Sequence, residues 1–256
     1  MSLACIGEPC LGPFFAVGYH LNVKRVTSKS KPVSSGSLRA KRIFLLSPAN
    51  ASGVRAQLLM RDGATFALAQ RLQRQGLPLG EVFSFVSGLY FRGKLAYASA
   101  FAAPPERVPG ALVITAGGGL IPPERLVNRE ELALISSVPV DASEPRYRIP
   151  LERDARIVAA HLNHDCEVVL LGSIATPKYV EPLLAIFGEK LVFPAEFAGR
   201  GDMSRGGLML RCVREGVELN YVSILSGERH GCRPPKLPKL IVSSSMRKRS
   251  LAKTSK

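Results

Sequence analysis

Histidine is scarce in this chain, with four residues in 256, and only His161 and His164 fall in its central part. With Cys166 they have near-metal spacing, but no second cluster completes four ligands, so no zinc centre and no other metal is expected. Neither histidine follows the carboxyl end of a predicted strand, which leaves a Ser-His-Asp triad without its base. There is no G-x-S-x-G string, and so no hydrolase nucleophile elbow. Gly117–Gly119 is not a dinucleotide fingerprint, because Ile121, Pro122 and Pro123 stand where its helix would begin. Gly172 and Ser173 do not belong to a Walker A motif, which argues against a nucleotide-hydrolysing P-loop, and no cofactor is expected. The five cysteines are odd in number and lack framework spacing, which points to free thiols in a reducing, cytoplasmic compartment. No apolar run reaches the roughly 18 residues of a membrane span. Residues 1–40 contain no continuous apolar segment beside a small-residue cleavage site, so a secretory signal is not expected. Their poverty in acids leaves two readings open: an organelle transit peptide, or an extension from an upstream start codon.

Acidic residues are missing from the two ends. Residues 1–42 hold seven basic residues against Glu8 alone, and residues 229–256 hold nine basic residues and no acid. Residues 43–228 carry 19 basic and 19 acidic residues, so the whole excess of +15 lies outside the central body. A basic nucleic-acid-binding face on that body is therefore not predicted. The ends read either as solvated segments that aid solubility or as salt-sensitive attachments to RNA or DNA. Within the body 16 of the 19 basic residues are arginine, the side chain suited to bidentate recognition of phosphate and carboxylate.

At 46% hydrophobic and 21% charged residues the chain can build a packed core. The pattern predicts a basic extension over 1–41, one α/β domain over 42–228, and a basic tail over 229–256, both ends disordered. Buried strands are predicted at 42–47, 111–115, 166–171, 190–193 and 219–224, each a short apolar run closed by turn residues. Helices are predicted at 64–75, 89–101, 128–135, 151–162, 179–187 and 203–214. Glu152 and Asp154 are expected to face solvent. Strands that are apolar throughout, alternating with helices, describe an open and mostly parallel sheet with helices on both faces.

Ligands of such sheets bind outside the carboxyl ends of the strands. Three loops fall there: Ser47–Gly53 with Asn50, followed by Arg55; Thr115–Gly119; and Gly172–Thr176 with Ser173, followed by Lys178. All are small and polar, and would let backbone approach a ligand closely. The string Gly199–Gly207 sets Arg200, Asp202 and Arg205 among four glycines before a helix. Two guanidinium forks there could clamp a phosphate or carboxylate, and Asp202 could orient an arginine or act as a base. The plainer alternative is a loop with an Arg–Asp ion pair, its helix capped by Asp202 or Ser204. Arg92 and Lys94 form a second cationic cluster among aromatic neighbours, with Lys94 a candidate phosphate contact.

Three segments carry a family resemblance: Ser87–Tyr97, Val113–Pro123, and Val168–Gly172 with Tyr179. They resemble small bacterial α/β domains of unknown function. Related domains are fused to archaeal tRNA-guanine transglycosylases and archaeosine synthases, and their fold is similar to uracil-DNA glycosylase. The longer strings LLGSIATPKYVEP and GRGDMSRGGL resemble a bacterial family that shares the whole body, over about residues 42–225. The resemblance implies an α/β body, a site at the loops, and a connection to nucleobases or nucleic acid. It transfers no catalytic residue, because the glycosylase water-activating Asp motif and the His-Pro-Ser loop have no counterpart here.

Three functions compete on the sequence. The first is binding, with or without processing, of a nucleotide, nucleobase or nucleic-acid segment at the carboxyl edge of the sheet. Its lining would be Ser47, Asn50, Arg55, Lys94, Ser173, Lys178, Arg200 and Arg205, with Asp202 the candidate base. The second is an enzyme acting on a small anionic phosphorylated metabolite in the same pocket. The third is a non-catalytic scaffold that binds RNA or DNA through its ends alone. The residues leave the oligomeric state open.

Overall fold

β1 (Arg42–Leu46) lies at the centre of the molecule, and its five residues show why the domain has three layers. Side chains alternate between the two faces of a strand. Phe44 and Leu46 join one buried cluster, while Ile43 and Leu45 join the other. All four are fully buried, each removal from water contributing roughly 1.5–3 kcal/mol. Only a sheet covered on both faces accommodates such a strand.

The computed structural model describes residues 40–228, 231–235 and 237. The expectations for the remaining residues of the two basic ends lie outside that range. After β1 come α1 (Val54–Met60), α2 (Ala67–Gln75), β2 (Leu77–Pro78), α3 (Leu79–Ser87) and α4 (Leu89–Phe101). Then follow β3 (Ala111–Thr115), β4 (Gly119–Ile121), β5 (Leu126–Val127), α5 (Arg129–Ser137) and α6 (Pro145–Ala160). β6 (Glu167–Leu171), α7 (Pro177–Phe187), β7 (Leu191–Pro194), α8 (Asp202–Glu215) and β8 (Tyr221–Ser223) complete the order.

The main sheet runs β4-β3-β1-β6-β7-β8. β3, β1, β6 and β7 are parallel, and the edge strands β4 and β8 are antiparallel. β2 and β5 form a separate antiparallel pair. The fold class is therefore α/β, as the apolar runs predict. From β1 the chain moves outward to β3, then crosses back to β6 on the opposite side. The connections diverge between β1 and β6, and that divergence opens a crevice at the carboxyl edge. α4 and α8 pack with the Phe44 face, and α6 and α7 with the Ile43 face.

Local chemistry sets several boundaries. Asn128 and Glu131 form a reciprocal capping box that starts α5, with bonds of 2.8 and 3.1 Å. α6 begins at Pro145, six residues before the predicted helix, because Pro145 takes the first helical position behind the capping carboxylate of Glu144. Asp154, expected in solvent, is buried: its Oδ2 accepts from the Leu120 backbone N–H at 3.0 Å and its Oδ1 from Arg153 Nε at 2.8 Å. α6 lies across the edge strand β4, and Asp154 supplies an acceptor to that edge. Neither Asp202 nor Ser204 caps α8, whose N-cap is Gly201. Arg42, at the amino ends of β1 and β6, is held by Glu167 at 2.6 Å and Glu218 at 2.6 Å.

Candidate functional site

Directly beyond β1, Ser47 is held to the neighbouring strand by its backbone N–H, which donates to Leu171 O at 3.1 Å. Gly172 makes that proximity feasible. A Cβ on Gly172 would lie 2.9 Å from the Cβ of Ser47, too close for any other residue without movement. The ends of β1 and β6 thus meet at the crevice.

A cavity of about 680 Å³ opens there. Its lining comes from the loop after β1 (Ser47, Asn50, Ser52), the end of β3 (Ala116), the loop after β6 (Ser173) and the start of α7 (Lys178, Tyr179). Ser87 and Tyr90 add the α3–α4 junction, Asp202 adds the start of α8, and Ser136–Val140 form a further wall between α5 and α6. Hydroxyl-bearing and apolar residues share this lining about equally. Among the described residues Lys178 is its one cation and Asp202 its one carboxylate.

Of the residues proposed from sequence, Ser47, Asn50, Ser173, Lys178 and Asp202 line the cavity together. Arg55 does not; its Nη1 donates to Phe85 O at 3.4 Å. Arg200 also lies off the lining, donating through Nη1 to Ser204 Oγ at 3.3 Å. Arg205 is buried and spends its fork on one carbonyl, with Nε and Nη2 donating to Phe197 O at 3.2 and 2.9 Å. Its guanidinium carbon stands 5.2 Å from the Phe197 ring, and Asp202 Oδ1 is 3.7 Å from Nη1. The two arginines therefore do not form a clamp facing the cavity; one of them supports its wall.

Lys94 lies behind the lining. It is 1% exposed on α4, and its Nζ donates to Ser47 O at 2.5 Å and to Ser47 Oγ at 2.9 Å. The rings of Tyr90 and Phe91 stand 4.4 and 4.9 Å from Nζ. Among the described residues no carboxylate lies within ion-pair distance of it. Burial is the largest influence and drives the ammonium down to about 7; Asp202 counters it and Arg205 adds to it. An amine in that range exchanges its proton near neutral pH, which suits a general base.

Tyr90, one helical turn before Lys94, lines the cavity, and its buried hydroxyl lies beside Arg205 and Ser47 without hydrogen-bond geometry to either. Ser47 and Arg205 are close enough to favour its ionised form slightly, yet burial dominates and pushes the phenol up to about 12. It therefore remains a donor at neutral pH. Burial likewise raises Tyr179 on the opposite wall.

Close helix contact brings these groups together. Cβ atoms on Gly93 of α4 or Gly206 of α8 would meet backbone of the other helix at 2.7–2.8 Å. The glycines let the helix axes approach and bring Asp202 and Arg205 beside Tyr90 and Lys94. The sequence places Gly206 inside the helix predicted over 203–214 without giving it a packing role, and it offers Lys94 as a phosphate contact. It did not identify Tyr90 as part of the site, and it gave the Ser136–Val140 wall no role. The closeness of Ser137 and Pro139 to a predicted helix end was the only available hint of that wall. Comparison with protein-family models, curated proteins and solved structures finds no match.

Proposed function

We propose that the cavity at the carboxyl edge binds a nucleotide or nucleobase-bearing ligand. The observation that carries this reading is Tyr90: a residue of the cavity lining, at the point where the strand connections diverge, whose buried hydroxyl makes no hydrogen bond. A buried donor without a partner costs about 1–3 kcal/mol, which a ligand acceptor would recover. The α7 N-terminus has no side-chain cap, and Lys178 stands beside it on the lining, so a phosphate is supported there. Asn50, Ser47 and Ser173 offer donors and acceptors suited to a base or sugar. The volume of about 680 Å³ fits a mononucleotide-sized molecule better than a duplex. The resemblance to domains of tRNA-modifying enzymes points in the same direction.

Thermal shifts of the full chain test the reading. A panel of nucleoside monophosphates, nucleosides and phosphorylated sugars would be compared. Nucleoside monophosphates are expected to stabilise most, and Lys178→Ala to weaken them about tenfold, the effect of one lost charge-assisted contact. Equal stabilisation by phosphorylated sugars would favour a metabolite instead. No shift with any of them would remove the proposal.

A further inference from the structure

The contact between Ser47 and Lys94 has chemical consequences that ligand binding does not need. We propose that Ser47 is a nucleophile activated by Lys94, and that the protein cleaves or transfers an acyl group brought into the cavity as an ester or amide. The inference uses the same cavity as the binding reading, but it does not depend on the ligand being a nucleotide.

The geometry separates the two roles in space. Ser47 belongs to the cavity lining and Lys94 does not, so a substrate would approach the serine and not the amine. Nζ is 2.9 Å from Oγ, within proton-transfer distance. Its other close partner is Ser47 O at 2.5 Å, which accepts an N–H and leaves the lone pair of the neutral amine to Oγ. Hydrogen bonding of Ser47 N to Leu171 O fixes the serine backbone, so the nucleophile sits on the end of a central strand. The groups facing Lys94 are Tyr90 and Phe91 on its own helix, Ser47 on the strand end, and Asp202 and Arg205 on α8. With the amine driven down to about 7, about half of it is neutral at neutral pH.

In the first step Oγ attacks the carbonyl carbon, and its proton passes to Nζ. The C–O bond to serine forms while the carbonyl π pair moves onto oxygen. Tyr90 lines the cavity and its buried O–H makes no hydrogen bond, so it would supply the donor to that oxyanion on turning toward it. The oxyanion pair then returns, the bond to the alcohol or amine leaving group breaks, and the leaving group takes the proton from Lys94. Water attacks the acyl-serine ester by the same route, giving its proton to Lys94, and serine recovers it as the carboxylic acid departs. The sum is hydrolysis of one ester or amide; an alcohol or amine in place of water gives transfer.

The test uses the full chain and a fluorophosphonate, which forms a stable phosphonyl ester with an activated serine and releases fluoride. Intact and peptide mass spectrometry should find one adduct, on Ser47, that is absent in Ser47→Ala. Lys94→Met should slow labelling at least about 100-fold, the lower range of general-base contributions. In the unmodified protein the rate should rise with pH and reach half its maximum near 7. Failure to label Ser47 in folded protein, or an unchanged rate in folded Lys94→Met, would overturn the inference. Should that variant not fold, the wild-type profile decides, and a rate independent of pH between about 6 and 9 would overturn it. Labelling without any nucleotide-induced thermal shift would remove the nucleotide reading and leave this one standing. A shift without labelling would do the reverse.

Discussion

An ammonium taken out of water costs several kcal/mol unless it is paired, and Lys94 is buried beside two ring faces and one serine without a carboxylate in contact. Its proton is consequently bound more weakly in the folded chain, at about 7 against 10.5 for a free lysine side chain. Between those values the unfolded chain binds the extra proton, so stability rises with pH. The gain is complete above the unfolded value and is lost as pH falls through the folded one. The slope in that window approaches about 1.4 kcal/mol per pH unit. Urea unfolding at several pH values between about 7 and 9 should show this rise in the wild type and not in Lys94→Met. A parallel pair of curves would contradict the buried charge. Asp154 provides a second case. Its replacement by Ala would strand the Leu120 N–H and cost about 1–3 kcal/mol in unfolding free energy, whereas a solvent-facing carboxylate would cost almost nothing. The difficulty of reading both residues from sequence has one cause. Lys94 meets Ser47 across 47 positions and Asp154 meets Leu120 across 34, and no local pattern encodes such contacts. Ser47, Asn50, Ser173 and Lys178 were legible because the rule that finds them needs only a strand and the loop after it.

Elements were legible where helix breakers close them, as Pro104 and Pro105 do after Phe101. The helix predicted over 89–101 is α4 to the residue. α1 and α3 were not foreseen. α1 is seven residues long, exposes Val54 and Leu58, and carries no side-chain cap, so its sequence offers no start signal. α3 follows Pro78 with apolar residues on more than one side, and α4 begins two residues after it ends. The four-glycine string suggests either an arginine clamp or a loop with an Arg–Asp ion pair; in the structure Arg205 stands 3.7 Å from Asp202, and Gly206 permits close helix packing. Ala at 206 would place its Cβ 2.8 Å from Leu89 O and 2.9 Å from Tyr90 Cα, backbone atoms that cannot rotate away. Gly206→Ala is expected to destabilise the domain by about 1–3 kcal/mol through overpacking. It should also weaken any ligand response, because it moves Asp202 and Arg205 away from Tyr90 and Lys94. A Tm and ligand shift equal to wild type would show that the α4–α8 approach is not required.

At the scale of the whole molecule, charge and topology assign different parts to different tasks. The central residues 43–228 balance 19 charges of each sign, and the excess of +15 sits at the ends. The described residues place the loops after β1 and β6 and the starts of α7 and α8 around one cavity. The balanced body and the cavity at its carboxyl edge would serve the proposed small ligand, and the basic ends would serve salt-dependent attachment to a polyanion. Hydrogen–deuterium exchange of the full chain with adenosine monophosphate separates these tasks most directly. Protection is predicted together at residues 47–53, 173–179 and 202–205, with the ends unchanged. Protection confined to 1–41 and 229–256, or none at the three loops, would contradict a ligand site at the carboxyl edge of the sheet.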